Sequence, residues 1–115
     1  SKPPATGTGT FSSTSTDVTI NTGVSSLSHF IMHIYPHTAS NNDITSFVTW
    51  DSSYSSYYYS AAVYTATAAQ GARRSVGTAQ SGAYLISIMS ISGGTVSIKG
   101  PSNANGLGTY VWFAY

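Results

Sequence analysis

The sequence predicts an all-β fold, an antiparallel sandwich of jelly-roll or H-type-lectin-like layout in a single domain. Three observations lead there. Good helix formers are scarce: there is no Glu, and only two Lys, two Gln and three Leu occur in 115 residues. β-Branched and aromatic residues fall in short runs separated by Gly, Ser and Asn, the punctuation of strands and tight turns. Gly93-Gly94 sits between two such runs, where a two-residue hairpin turn needs positive φ at little steric cost.

The elements follow in order. Residues 1–7 read as a linker, because Pro3-Pro4 cannot join a ladder in a central strand, and 8–115 as the sandwich domain. Thr8 to Ser12 is expected to form a first strand around Phe11, and Thr16 to Ile20 a second with Val18 and Ile20 on one face. Ser28 to His37 is the clearest long strand. Phe30, Met32 and Ile34 share one face; His29, Ile31, His33 and Tyr35 share the other. A turn rich in backbone-bonding side chains (Thr38 to Asp43) leads to a strand at Ile44 to Trp50. Tyr57 to Thr65 makes the next strand. A long polar connection follows, with a short strand at Arg73 to Val76. Ala83 to Ser92 and Gly94 to Lys99 pair as a hairpin, and Thr109 to Tyr115 closes the domain.

Charge is the most unusual feature. Only 6% of residues are Asp, Glu, Lys or Arg, against about 25% in an ordinary domain. The net charge of +1 gives no electrostatic case for nucleic acid or an anionic membrane, and no apolar run is long enough for a membrane-spanning helix. Ser and Thr, 36 residues in all, supply the polarity. A hydroxyl-rich surface suits close packing of identical subunits or contact with neutral partners such as sugars. There is no Cys, hence no disulfide framework and no thiolate metal site. The chain opens without Met and ends on an apolar strand, as expected of the C-terminal part of a longer polypeptide.

The stretch Ser52 to Tyr64, SSYSSYYYSAAVY, carries five tyrosines and no charge. On a strand, Tyr57 and Tyr59 face one way, Tyr58 and Tyr64 the other. An open face of tyrosines is a patch that soluble monomers seldom leave bare, so one face is expected in the core and the other at a contact. That contact is a subunit interface, ordinary packing or a ligand platform. Trp50 and Asp51 precede the run at a loop, where an aromatic beside an acid can stack on a sugar ring and accept its hydroxyls. Trp50, Asp51, Tyr54, Tyr57, Arg73 and Arg74 are the candidate ligand-binding residues. His29, His33, Tyr35, Tyr58 and Tyr64 are the candidate interface residues.

Histidines at 29, 33 and 37 would lie on one face of a helix. On a strand, four residues span roughly 13 Å, too far for two of them to share one zinc. No metal and no other cofactor is expected. Arg73 and Arg74 are adjacent on an extended segment, so they should point apart; one could hold a carboxylate, such as Asp51 or an acidic sugar. No nucleophile elbow, paired-carboxylate pattern or phosphate loop appears, and an enzyme is not expected.

Two stretches carry a family resemblance. The ending GTYVWFAY, Gly108 to Tyr115, resembles the closing strand of small β-sandwich domains at the ends of phage and prophage tail-fibre and receptor-binding proteins. Trp112-Phe113-Ala114 within it is similar to the ending of H-type lectins. TDVTINTGVSSLSHFIMHIY, Thr16 to Tyr35, resembles the opening of such tail domains. The resemblance implies a sandwich that forms a homotrimer or another ring, on a virion tail appendage or otherwise outside the cell, and binds a host-surface glycan or other receptor. The alternatives are a capsid-decoration or appendage-assembly subunit without a ligand, and a monomeric bacterial carbohydrate-binding or adhesin module.

Overall fold

A computed structural model describes residues 3–36, 44–64, 69–79 and 82–115. The expected turn at 38–43, with His37 before it, lies outside these residues. The described chain is all-β, with two antiparallel sheets packed face to face. Strands β1 (Ala5–Phe11), β3 (His29–Pro36), β4 (Ile44–Asp51), β5 (Tyr57–Tyr64), β6 (Gln70–Ser75) and β9 (Gly108–Ala114) form a sheet in the order β1-β9-β3-β4-β5-β6. Strands β2 (Asp17–Asn21), β7 (Ser87–Ser92) and β8 (Thr95–Lys99) form the second, in the order β2-β8-β7.

Alternation sets what each face carries. Phe30, Met32 and Ile34 of β3 are buried, together with Val48 and Trp50 of β4, Tyr58 of β5 and Tyr110 and Trp112 of β9. They meet Ile20, Ile88, Val96 and Ile98 of the smaller sheet in one core. The hairpin forms as expected: Ser92 pairs with Thr95 across Gly93-Gly94, and Gly93 has φ 60°.

Strand β1 begins at Ala5, inside the segment expected to be linker. The alternation Thr6-Gly7-Thr8-Gly9-Thr10 is a strand whose inward positions lack side chains. Gly7 lies opposite Trp112, and Gly9 opposite Tyr110. The two rings fill the space, so a Cβ on Gly7 would come 2.5 Å from the Trp112 indole nitrogen and one on Gly9 2.1 Å from the Tyr110 hydroxyl. Glycines covered by cross-strand aromatics are a recognised way to hold such a strand.

Residues 83–86, expected to be strand, instead cross beneath the larger sheet. The smaller sheet has three strands against the six of its partner. Beside the large inward residues Ile44, Val48 and Tyr58 of β4 and β5, several inward positions of β4, β5 and β6 are small: Ser46, Ser60, Ala62 and Ala72. They leave room for the crossing segment, whose Leu85 packs against Ile44 and Ala62. A crossing backbone in a core must have its carbonyls satisfied. Ser46 Oγ donates to Tyr84 O at 2.9 Å, and Ser60 Oγ to Ile86 O at 2.7 Å.

Candidate functional site

The outer face of the larger sheet is unusually apolar. Rows run across it in register: Thr6, Phe113, Ile31, Thr49, Tyr59 and Arg73 in one, and Thr8, Val111, His33, Phe47, Ala61 and Gly71 in the next. Ile31, Tyr35, Phe47, Tyr59, Val63 and Phe113 are all exposed there. Six strands about 4.8 Å apart and five residues about 3.4 Å long give roughly 400 Å² of face, on which these apolar side chains alternate with Thr6, Thr8, Thr49, His33 and Arg73.

At one end of this face a concavity of ≈ 310 Å³ is lined by His29, Ile31, Thr49, Trp50, Asp51, Tyr54, Tyr57 and Tyr59. That is the lower end of ordinary small-ligand sites. Local chemistry builds it. Asp51 ends β4 and caps the 3₁₀ turn Ser52–Tyr54, accepting a hydrogen bond from Ser53 N–H at 2.8 Å. The turn places Tyr54 beside the Tyr57–Tyr59 face; Tyr54 and Tyr59 are 69% and 57% exposed, enough to offer ring surface. The other Asp51 oxygen lies 3.1 Å from His29 Nε2, and the His29 ring stacks on Tyr115 with centroids 4.8 Å apart. The Ser53 N–H bond, helped by the Ser53 side chain and by His29, holds the Asp51 carboxyl below its ordinary pKa against the opposing effect of desolvation. The carboxylate is therefore ionised and partly exposed at the rim of an aromatic hollow.

A second concavity of ≈ 310 Å³ shares Tyr57 and continues over the sheet edge, lined also by Arg73, Arg74, Ser75 and Thr78. The Arg73 guanidinium carbon sits 3.9 Å from the Tyr57 ring centroid. The sequence expectation that Arg73 and Arg74 cannot act together needs correcting. Their Cα positions do alternate, opposite Tyr59 and Tyr58. But β6 is an edge strand, and past a free edge both side chains reach one hollow. The Asp51 carboxylate contacts His29, with Oδ2 3.1 Å from the His29 ring nitrogen.

The candidate residues thus separate. Asp51, Tyr54 and Tyr57 share one concavity, and Tyr57, Arg73 and Arg74 the next. Trp50 is 7% exposed, its ring on the core side and its indole N–H donating to Ser55 O at 3.1 Å, so it is not an open stacking surface. Among the candidate interface residues, Tyr58 is fully buried and donates its hydroxyl to Thr78 O at 2.6 Å, which takes it out of any subunit contact. Of Tyr64 only the backbone is described, paired with Ile44. His29, His33 and Tyr35 do face outward; His33 contacts the Thr45 hydroxyl and tilts against Tyr35. Sequence reasoning left Tyr59 out of the ligand-binding candidates, although its parity with Tyr57 marked it. It also missed Ile31 and Thr49 as cross-strand neighbours of Tyr59, which only register reveals.

Among the described residues no group of three His, Cys, Asp or Glu could hold a metal, and no helix is long and apolar enough to cross a membrane. No family model, no curated protein and no solved structure matches the chain.

Proposed function

We propose that this domain is a non-catalytic binding module for a host-surface glycan, used in several copies, with a homotrimer on a tail appendage or other extracellular structure as its setting. The observation that carries the reading is the concavity in which Tyr54, Tyr57 and Tyr59 surround one ionised carboxylate. Aromatic rings take the apolar face of a sugar, and Asp51 accepts its hydroxyls. Ligand sites of this kind combine apolar walls with a few fixed polar groups. Weak single sites suffice where copies are linked, because linkage raises avidity by about 10²–10⁴. The tail setting rests on the resemblance of Thr16 to Tyr35 and Gly108 to Tyr115 to tail-protein domains.

A second reading is favoured by a different part of the same face. Around Phe47, Phe113 and Val111 exposed apolar side chains flank His33, which suits a flat contact with another copy. A structural assembly subunit would need nothing more. Light scattering after gel filtration, paired with a glycan array, separates the two. Under the proposed reading the wild type binds defined glycans, and Tyr59→Ala loses that binding while the mass stays unchanged. If the wild type binds no glycan and Phe47→Glu converts a multimer to a monomer, the domain serves assembly alone.

A further inference from the structure

An edge strand presents a row of open N–H and C=O groups, and proteins blunt such edges with charge, short length or irregularity. This sandwich has four edges: β1 and β6 on the larger sheet, β2 and β7 on the smaller. Three of them are blunted. β6 carries the side chains of Arg73 and Arg74. β7 has a register break between Ile88 and Ser90, and Ile88 O accepts Gly77 N–H at 3.1 Å. β2 is five residues long and opens on the exposed carboxylate of Asp17.

β1 has none of these devices. Its seven residues, ATGTGTF, include no charge and no proline, and all pair with β9 without a break. Among the described residues no strand lies beyond it. Thr6, Thr8 and Thr10 are exposed on its outer face. On its inner face Gly7 and Gly9 have no side chain and are roofed by the Trp112 and Tyr110 rings. Neither face holds a group that repels an incoming strand.

We propose that β1 is a docking edge for a second copy of this chain, the two β1 strands pairing antiparallel. The contact is self-complementary. A twofold axis perpendicular to the sheet sets residues of like parity opposite one another, Thr against Thr on the outer face, and cross-strand Thr pairs are favourable. The same operation at β6 would bring arginines of two copies together. Pairing through β1 makes one continuous sheet with both outer faces on the same side. The two Asp51 hollows then open in one direction, with Tyr59 four strand spacings from the seam in each copy and the pair roughly 43 Å apart. The pairing does not depend on what those hollows bind. It also leaves the outer face free, so any trimers formed there would be joined in pairs.

A seven-residue ladder, about 24 Å long, is small for a permanent interface, so association should be concentration-dependent. Sedimentation equilibrium across the micromolar range tests it. The mass should rise with concentration to an even multiple of the protomer. The double variant Thr6→Lys/Thr8→Lys, which lines the seam with like charges, should raise the dissociation constant about tenfold or more. Thr19→Lys, at an exposed position of β2, should leave it unchanged. Thermal unfolding checks that both variants are folded. Hydrogen exchange of the wild type gives a second measure that needs no variant: the β1 amides turned away from β9 should exchange more slowly as concentration rises. A monomer at every concentration overturns the inference. So does an assembly that the β1 lysines leave intact, one that Thr19→Lys weakens equally, or β1 exchange that is independent of concentration.

Discussion

Removing one hydroxyl tests how the segment crossing beneath the larger sheet is held. Ser60 is 2% exposed, and its Oγ donates to Ile86 O at 2.7 Å, a carbonyl on a segment that is itself buried. In Ser60→Ala that carbonyl loses its donor where no strand partner replaces it. A buried acceptor left unpaired costs about 1–3 kcal/mol. The hydroxyl's own desolvation is saved, so the net loss should fall at about 1–2 kcal/mol. An unfolding entropy of about 2.1 cal/mol/K per residue makes 1 kcal/mol worth roughly 4 °C in a chain this size. Tm should therefore drop by about 4–8 °C. Urea unfolding, followed by tryptophan fluorescence, should show a lower midpoint at unchanged slope. Ser90→Ala, at an exposed position on β7, serves as the control and should stay within about 0.5 kcal/mol of wild type. A Ser60→Ala protein as stable as wild type would refute the idea that side-chain donors secure the crossing segment.

Three further outcomes follow from the geometry. Gly9→Val should destabilise the domain by about 1–3 kcal/mol in the same urea assay, because its Cβ meets the Tyr110 ring and forces it from its place. Tyr58→Phe should lose about 0.5–1.5 kcal/mol by thermal unfolding, the worth of the bond to Thr78 O, with the ring packing retained. Acid should weaken the fold through Asp51. Its folded pKa lies below its unfolded one, so its contribution is full above the unfolded carboxylate value of about 4 and vanishes as pH falls through the folded value. Asp51→Asn keeps the cap but does not titrate, so unfolding measured at pH 6 and pH 3 should show a smaller acid loss in that variant.

Strand parity carried most of the fold into view. The alternation in β3 and in Tyr57-Tyr58-Tyr59 groups the residues that share a face, but which tyrosine face turns inward was not legible, and Tyr58 was expected at a contact although it is buried; Gly93-Gly94 marks its hairpin. What escaped had physical reasons. The first part of β1 has glycine at its inward positions 7 and 9, so before Phe11 its pattern shows only polar Thr and Gly until the facing Trp112 and Tyr110 are known. The run Ala83-Tyr84-Leu85-Ile86 is apolar enough for a strand, and only its tertiary place beneath Ser46 and Ser60 makes it a crossing. Trp50 could have been placed from the sequence: Ile44, Ser46, Val48 and Trp50 share parity, and the inward direction of Ile44 and Val48 carries Trp50 with it. The joint hollow of Arg73 and Arg74 could not, since it depends on β6 having no neighbour beyond it.

The position of β9 bears on how the chain comes to be folded at all. This strand is the latest of the nine in the sequence, yet it lies in the interior of the sheet, between β1 and β3. A nascent chain that has emerged only as far as β8 holds two strands with open ladders facing a missing middle. Neither can be completed by local pairing. The sheet cannot be completed before β9 is made, and the pairing of Ala5 with Ala114 joins segments more than a hundred residues apart. Such contacts come late and slowly. Until then the exposed edges are open to pairing with neighbouring chains, a route to misassembly that no property of the finished sheet reveals.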